Sequence, residues 1–209
     1  MKQLRGLYAI TPQPGPGRPL LTAAVEQALA GGARLIQYRD KGSDPGGRRD
    51  EAAALLALCR RAGVPLIIND DLELAAAIGA DGLHLGRDDA DPRDARDRLG
   101  AGAIIGVSCY NQLERARRAQ EVGADYAAFG RFFPSATKPR AVQADPELLR
   151  QARRELTLPL VAIGGITPEN GAPLIAAGAD MLAVIDGVFA QPDIAAAARR
   201  FSRLFSPEA

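Results

Sequence analysis

The sequence predicts an α/β fold of the (β/α)8 TIM-barrel type, built as a single domain over residues 1–209. Three observations lead there. Short apolar runs alternate with helical segments eight times along the 209 residues, which suits the small end of the barrel's size range. The tripeptide Gly-Ala-Asp recurs at 79–81, 123–125 and 178–180, always between a helix and the next apolar run, where glycine favours the left-handed end of a helix. The rival architecture, an open doubly wound sheet, gives no reason to stop at eight units and usually carries a Gly-rich fingerprint in its first βα turn. Gly15 and Gly17 begin such a pattern, but Leu20 stands where its third glycine belongs.

Each element has its own signal. Gly6 to Thr11 is a short apolar strand, followed by the Pro- and Gly-rich stretch Pro12 to Pro19 and an Ala-rich helix from about Leu21 to Ala30. Arg34 to Tyr38 is the second strand. Ser43 and Asp44 supply capping oxygens before Pro45, and Glu51 to Arg61 sets Leu55, Leu58 and Cys59 on one helical side. Leu66 to Ile68 and Leu83 to Leu85 are the third and fourth strands, joined by a helix over Leu72 to Ile78 and followed by another from roughly Pro92 to Leu99. Ala103 to Val107 is the fifth strand, ending at Ser108, and Leu113 to Val122 the fifth helix. Tyr126 to Phe129 is the sixth strand. After it, Gly130 to Ala144 forms the longest loop, a length that usually carries function or mobility. Pro146 to Leu156 is helical, and Leu160 to Ile163 and Met181 to Ile185 are strands seven and eight. Between them Thr167, Pro168 and Glu169 read as a helix start, with Thr as N-cap and Pro in the first helical position. The last helix begins near Asp193, with Ile194, Ala198, Phe201 and Phe205 along its inward face.

Composition narrows the partners. Lys plus Arg number 26 against 25 Asp plus Glu, which argues against a nucleic acid or an anionic membrane surface and favours a small molecule. Cys59 and Cys109 lack metal-type spacing, and the N-terminus has no signal-type apolar run, so a cytoplasmic location is expected. No apolar run approaches bilayer-spanning length. The oligomeric state, a homo-oligomer included, is left open.

In a parallel barrel all loops that follow strands open on one face, where barrel enzymes react. Polar residues concentrate there. Gln37, Arg39, Asp40 and Lys41 end or follow strand two, Asn69, Asp70 and Asp71 strand three, Asp88 and Asp89 strand four, and Ser108 strand five. Ser135, Thr137 and Lys138 fall in the loop after strand six, Gly164 and Gly165 after strand seven, and Asp186 and Gly187 after strand eight. Carboxylates gathered at strand ends repel one another, and Mg²⁺ favours hard oxygen ligands of this kind. Arginine and lysine beside such a site suit a phosphate or diphosphate. Loops seven and eight are the common phosphate-binding place in barrels. Each feature has a plainer reading. The acidic clusters precede helices and are equally explained as caps; Gly164 and Gly165 as turn formers; His84 as a hydrogen-bonded core residue; the cysteines as small buried hydrophobes.

Six stations in order carry a resemblance: Gln37-Tyr38-Arg39-Asp40-Lys41, Asn69-Asp70-Asp71, His84-Leu85-Gly86-Arg87-Asp88-Asp89, Gly106-Val107-Ser108, Phe133-Pro134-Ser135-Ala136-Thr137-Lys138-Pro139 and Ala162-Ile163-Gly164-Gly165-Ile166. Over nearly its whole length the chain resembles the thiamine phosphate synthase family, also called thiamine-phosphate pyrophosphorylase. The resemblance implies a (β/α)8 barrel that joins hydroxymethylpyrimidine diphosphate to thiazole phosphate and releases diphosphate. Carried over, it assigns Gln37, Arg39, Lys41 and Asn69 to the pyrimidine diphosphate, Asp70 and Asp89 to Mg²⁺, and Ser108 and Lys138 to the rest of the diphosphate pocket. Arg39, Lys41, Ser108 and Lys138 would act in catalysis. Ser135 and Thr137 would face the thiazole substrate, with its phosphate near Gly165, Ile185 and Asp186. At Asp186 the chain departs from the family, which often has a small hydroxyl residue there. Two rivals remain: a thiazole tautomerase, whose histidine after strand five is replaced here by Cys109 and Tyr110, and a non-catalytic phosphate-binding regulatory barrel, which would not need the full set.

Overall fold

The computed structural model describes residues 4–13, 20–42, 44–134 and 142–206. Within them eight parallel strands close into a barrel in sequence order: β1 (Gly6–Ile10), β2 (Leu35–Tyr38), β3 (Leu66–Asn69), β4 (Gly82–Leu85), β5 (Ile104–Tyr110), β6 (Tyr126–Gly130), β7 (Leu160–Ile163) and β8 (Met181–Val184). Closure is direct, because β1 pairs with both β2 and β8, with Tyr8 opposite Leu35 on one side and Ala183 on the other. The surrounding helices are α1 (Leu21–Ala30), α2 (Pro45–Arg61), α3 (Leu72–Ile78), α4 (Pro92–Leu99), α5 (Leu113–Glu121), α6 (Pro146–Glu155), α7 (Ala172–Ala176), α8 (Asp186–Phe189) and α9 (Ile194–Arg203).

Side chains alternate along each strand, and here both faces are covered, which is why the strands read as unbroken apolar runs. Tyr8, Ile10, Leu35, Ile67, Ile104, Tyr126, Val161 and Met181 fill the barrel. Their neighbours Leu7, Ala9, Ile36, Tyr38, Leu66, Ile68, Leu83 and Ile105 point outward into a second, larger core beneath the helices. Inside the barrel Gly106 makes space for an aromatic ring, since a Cβ there would stand 1.9 Å from the Cζ of Tyr126.

The Gly-Ala-Asp repeats mark the opposite end from the loops that follow strands. Gly79 caps α3 in the left-handed conformation at φ 64° and ψ 45°, as the repeat predicts. The aspartates do something composition could not announce: each carboxylate accepts the first or second amide of the strand before it. Asp81 takes Leu66 N–H at 2.9 Å, Asp125 takes Ile105 N–H at 2.7 Å, and Asp180 takes Leu160 N–H at 2.8 Å. Arg96 pairs with Asp125 at 2.6 Å, and Arg153 pairs with Asp180, so two of the clips are also charge-balanced.

The expected helix start at Thr167, Pro168 and Glu169 is corrected. Residues 168–170 form a turn in which Thr167 N–H donates to Asn170 Oδ1 at 2.8 Å, and α7 begins only at Ala172 after Gly171. Pro173 has no N–H to give to the carbonyl four residues back, so the first turn cannot run continuously into α7. Strand β5 runs on past Ser108 to Tyr110 through a register shift, α2 starts at Pro45, and the short α8 follows β8, where no helix was expected. The expected cap at Ser43 lies outside the described residues, whereas Asp44 does cap α2, accepting from Gly46 and Gly47 N–H at 3.1 Å each.

Candidate active site

A cavity of about 640 Å³ opens at the C-terminal ends of the strands. Gln37, Arg39, Lys41, Asn69, Asp70, Asp89, Ser108, Gly165, Ile185 and Asp186 all line it. Ser135, Thr137 and Lys138, expected in the same mouth, lie outside the described residues.

The acidic clusters divide their work, which separates the capping reading from the binding one. Asp71 caps α3, accepting Leu74 N–H at 2.9 Å, and is paired with Arg48 at 2.8 Å. Asp91 caps α4, accepting Arg93 N–H at 2.8 Å. Capping is thus done by Asp71 and Asp91, and Asp70 and Asp89 are left for the cavity. Asp70 is placed there by its backbone: its φ is 63°, a left-handed conformation unusual for a residue with a side chain, and its N–H is held by His84 O at 2.9 Å.

The carboxyls of Asp70 and Asp89 face each other closely enough to perturb one another. Partial loss of solvent at the mouth and the adjacent Asp70 carboxylate raise the exposed Asp89 carboxyl above the usual range. Burial also pushes Asp70 upward, but its interactions with Asp89 and with Lys41 outweigh it, and Asp70 stays below its ordinary value. Lys41 Nζ is 3.0 Å from Asp70 Oδ2, and Gly86 N–H donates to Asp89 Oδ2 at 2.6 Å. Two carboxyls this close hold a proton between them or a cation, because both cannot ionise unaided. The pair fits Mg²⁺, which binds through one or two carboxylates and completes its shell with water and substrate phosphate oxygens. No group of three or more His, Cys, Asp or Glu among the described residues competes for a metal.

Gly164 and Gly165 have φ of 104° and 61°, and both are crowded by the strand-six loop. A Cβ on Gly165 would lie 2.2 Å from Pro134 O, and one on Gly164 would lie 2.3 Å from Arg131 Cβ. The turn-forming reading therefore has a definite cause: these glycines let loops six and seven touch.

The cavity floor holds groups that the sequence reading did not assign to the site. Tyr8, His84 and Tyr126 are buried, and Tyr8 and His84 line the cavity. His84 bonds to Tyr126 Oη through Nδ1 and to Ser108 Oγ through Nε2, each at 2.9 Å, so the expected hydrogen-bonded core histidine is also part of the floor. A signal was available. Tyr8 and Tyr126 occupy inward positions of otherwise apolar strands, and a buried phenol must find a partner.

A family model for thiamine monophosphate synthase matches residues 7–188. The chain belongs to the thiamine monophosphate synthase family. It is 56% identical over 203 residues to the thiamine-phosphate synthase of Thiobacillus denitrificans, covering 97% of this chain and 96% of that one. With the thiamine-phosphate synthase of Aromatoleum aromaticum it shares 55% over 203 residues, 97% of each chain. Among solved structures, a thiamine phosphate pyrophosphorylase from Pyrococcus furiosus superposes with a TM-score of 0.86 at 31% identity, covering 98% of this chain and 96% of that one. The tautomerase and regulatory readings are not favoured beside this agreement over the whole length. No helix among the described residues is long and apolar enough to cross a membrane.

Proposed function

We propose that this barrel joins hydroxymethylpyrimidine diphosphate to thiazole phosphate, giving thiamine phosphate and free diphosphate, with Mg²⁺ held by Asp70 and Asp89. The observation that carries the reading is the acid pair with Lys41 beside it at the mouth of a family barrel. An aminopyrimidine is electron-rich enough to stabilise a benzylic-type cation as the diphosphate departs. The protein therefore has to neutralise the departing charge and position the attacking thiazole nitrogen, and it needs no covalent nucleophile. Bound Mg²⁺ would supply charge to the leaving oxygens. Arg39, Lys41 and Lys138 add fixed positive charge to the same group, and Ser108 offers it a hydroxyl. Gln37 and Asn69 orient the pyrimidine. Ser135, Thr137, Gly165, Ile185 and Asp186 form the thiazole phosphate side. This reading goes with a cytoplasmic location, the compartment expected for small phosphorylated substrates.

A direct assay tests this. Purified protein supplied with both substrates and Mg²⁺ should form thiamine phosphate, and a chelator should stop it. Product formation undiminished by exhaustive chelation would remove the metal role, and no product with either substrate pair member present in excess would remove the synthase reading.

A further inference from the structure

Five polar side chains cross the barrel interior as a single chain. Gln37 Nε2 donates to Tyr8 Oη at 2.6 Å, Tyr8 Oη and Tyr126 Oη are 2.8 Å apart, Tyr126 Oη is 2.9 Å from His84 Nδ1, and His84 Nε2 is 2.9 Å from Ser108 Oγ. The chain starts on β2 and ends on β5, and both its ends line the cavity. Its middle is shut away from water, with Tyr8 at 1% exposure and Tyr126 at 0%.

Such a chain can run in only one direction at a time. An amide nitrogen only donates, so Tyr8 must accept from Gln37. Burial raises both phenols above their ordinary range, so each keeps its one proton. The direction that gives each buried phenol proton a partner within the chain has Tyr8 donate to Tyr126, and Tyr126 to His84 Nδ1. A ring nitrogen that accepts leaves the proton of a neutral imidazole on the other nitrogen. His84 Nε2–H therefore donates to Ser108 Oγ, and the Ser108 hydroxyl proton is left to point elsewhere. At the far end, with its nitrogen committed to Tyr8, Gln37 has its amide oxygen left for a ligand.

We propose that this chain is a polarity relay in which Gln37, through Tyr8, Tyr126 and His84, sets Ser108 as a hydrogen-bond donor into the cavity. Tyr8, Tyr126 and His84 are positioning residues that act through the two ends. Reversal of the Gln37 amide would reverse every bond and leave Ser108 presenting a lone pair. The direction in the structure suits a ligand with an N–H donor near Gln37 and an anionic oxygen near Ser108. In terms of the proposed reaction, on which this last step rests, those are the exocyclic amino group and the diphosphate of one substrate. A ligand offering an acceptor to Gln37 would turn Ser108 away from the anion, so recognition of the ring and grip on the leaving group are linked across the barrel.

His84 is the only histidine in the chain, so protein labelled with ¹⁵N-histidine gives one imidazole. The nitrogen shifts at about pH 8, above the ordinary imidazole value, report its tautomer without any activity measurement. Wild-type protein should show the neutral Nε2–H form. Gln37→Glu replaces the donor with a carboxylate that accepts from Tyr8, and should switch His84 to the Nδ1–H form, three hydrogen bonds away. An Nδ1–H tautomer in the wild type would overturn the direction of the relay. So would an imidazolium, which donates from both nitrogens. An Nε2–H tautomer in both folded proteins would overturn the coupling. The wild-type spectrum decides the direction even if Gln37→Glu does not fold, in which case Gln37→Met, which removes the donor, should broaden or mix the tautomers; a spectrum identical to wild type would overturn the coupling. Absence of synthase activity would leave the tautomer result standing, so the two readings fail separately.

Discussion

Gly106→Ala puts a methyl group where the ring of Tyr126 already lies. The added Cβ would stand 1.9 Å from Tyr126 Cζ, 2.3 Å from Oη and 2.4 Å from Cε1. Carbon atoms pack at roughly 3.5–4.0 Å, so the ring has to retreat by about 1.5–2 Å. Tyr126 is wholly buried and holds Tyr8 at 2.8 Å and His84 at 2.9 Å, so a retreat of that size breaks at least one bond. Overpacking costs about 1–3 kcal/mol. A buried polar group left unpaired costs about 1–3 kcal/mol more. The sum is roughly 2–6 kcal/mol, which in a chain of this size corresponds to a fall in Tm of roughly 4–24 °C. Denaturant unfolding of wild type and variant measures the difference. Gly102→Ala is the control, because a Cβ there meets nothing within 4 Å, and it should change stability by less than about 1 kcal/mol. Combining Gly106→Ala with Tyr126→Leu should recover much of the loss, as coupled neighbours do. A Gly106→Ala protein within about 0.5 kcal/mol of wild type would refute the packing account of this glycine.

Asp89→Ala removes one carboxyl of the acid pair and should abolish Mg²⁺-dependent turnover while circular dichroism and Tm stay close to wild type, since Asp89 is an exposed loop residue; retained activity would displace the metal site. Asp186 lines the cavity, and like charges a few Å apart interact by roughly 1–4 kcal/mol, so Asp186→Ser should lower the KM for thiazole phosphate by about fivefold or more. An unchanged KM would mean that the carboxylate faces away from the phosphate. Burial pushes the thiols of Cys59 and Cys109 up from their ordinary range to about 12. Above about pH 9 the unfolded chain has released these protons and the folded one has not, so the stability present below pH 9 falls as pH rises toward 12, by about 1.4 kcal/mol per pH unit for each thiol. Urea unfolding at pH 8 and pH 10.5 should show the loss, and Cys59→Ala should lessen it; identical slopes in the two proteins would contradict burial as its cause.

The barrel was legible because its strands are buried on both faces and its helices end in glycine. Runs such as Leu66-Ile67-Ile68 carry no polar residue to blur their ends, and Gly79 has the left-handed φ its position suggested. Among the described residues, the site residues expected at the mouth were legible by position, since each ends or follows a strand, and they line one cavity. What position did not reveal was which acid does what. Asp70 and Asp71 are adjacent in sequence and differ only in backbone conformation: Asp71 turns back to cap α3, while the left-handed φ of Asp70 sends it to the cavity. The floor was hidden for another reason. Tyr8 and Tyr126 are 118 residues apart, and no local pattern brings two phenols together across a barrel. The start of α7 was misplaced because Thr-Pro-Glu is a sound helix opening, and only the later Pro173 prevents it from continuing.

The aspartate clips at the base of the barrel bear on how the chain assembles. Asp81 reaches back 15 residues to Leu66, and Asp125 and Asp180 reach back 20 each, to Ile105 and Leu160. These are short loops to close, and closure entropy grows only slowly with length, so each strand–helix–strand unit has a local latch that does not wait for the rest. One seam is different. β1 meets β8 only after nearly the whole chain has been laid down, with Gly6 beside Met181 and its N–H on Asp180 O at 2.9 Å. Asp180 thus serves the last local latch with its side chain and the final ring closure with its backbone, so the end of stepwise growth and the start of the closed barrel meet at one residue.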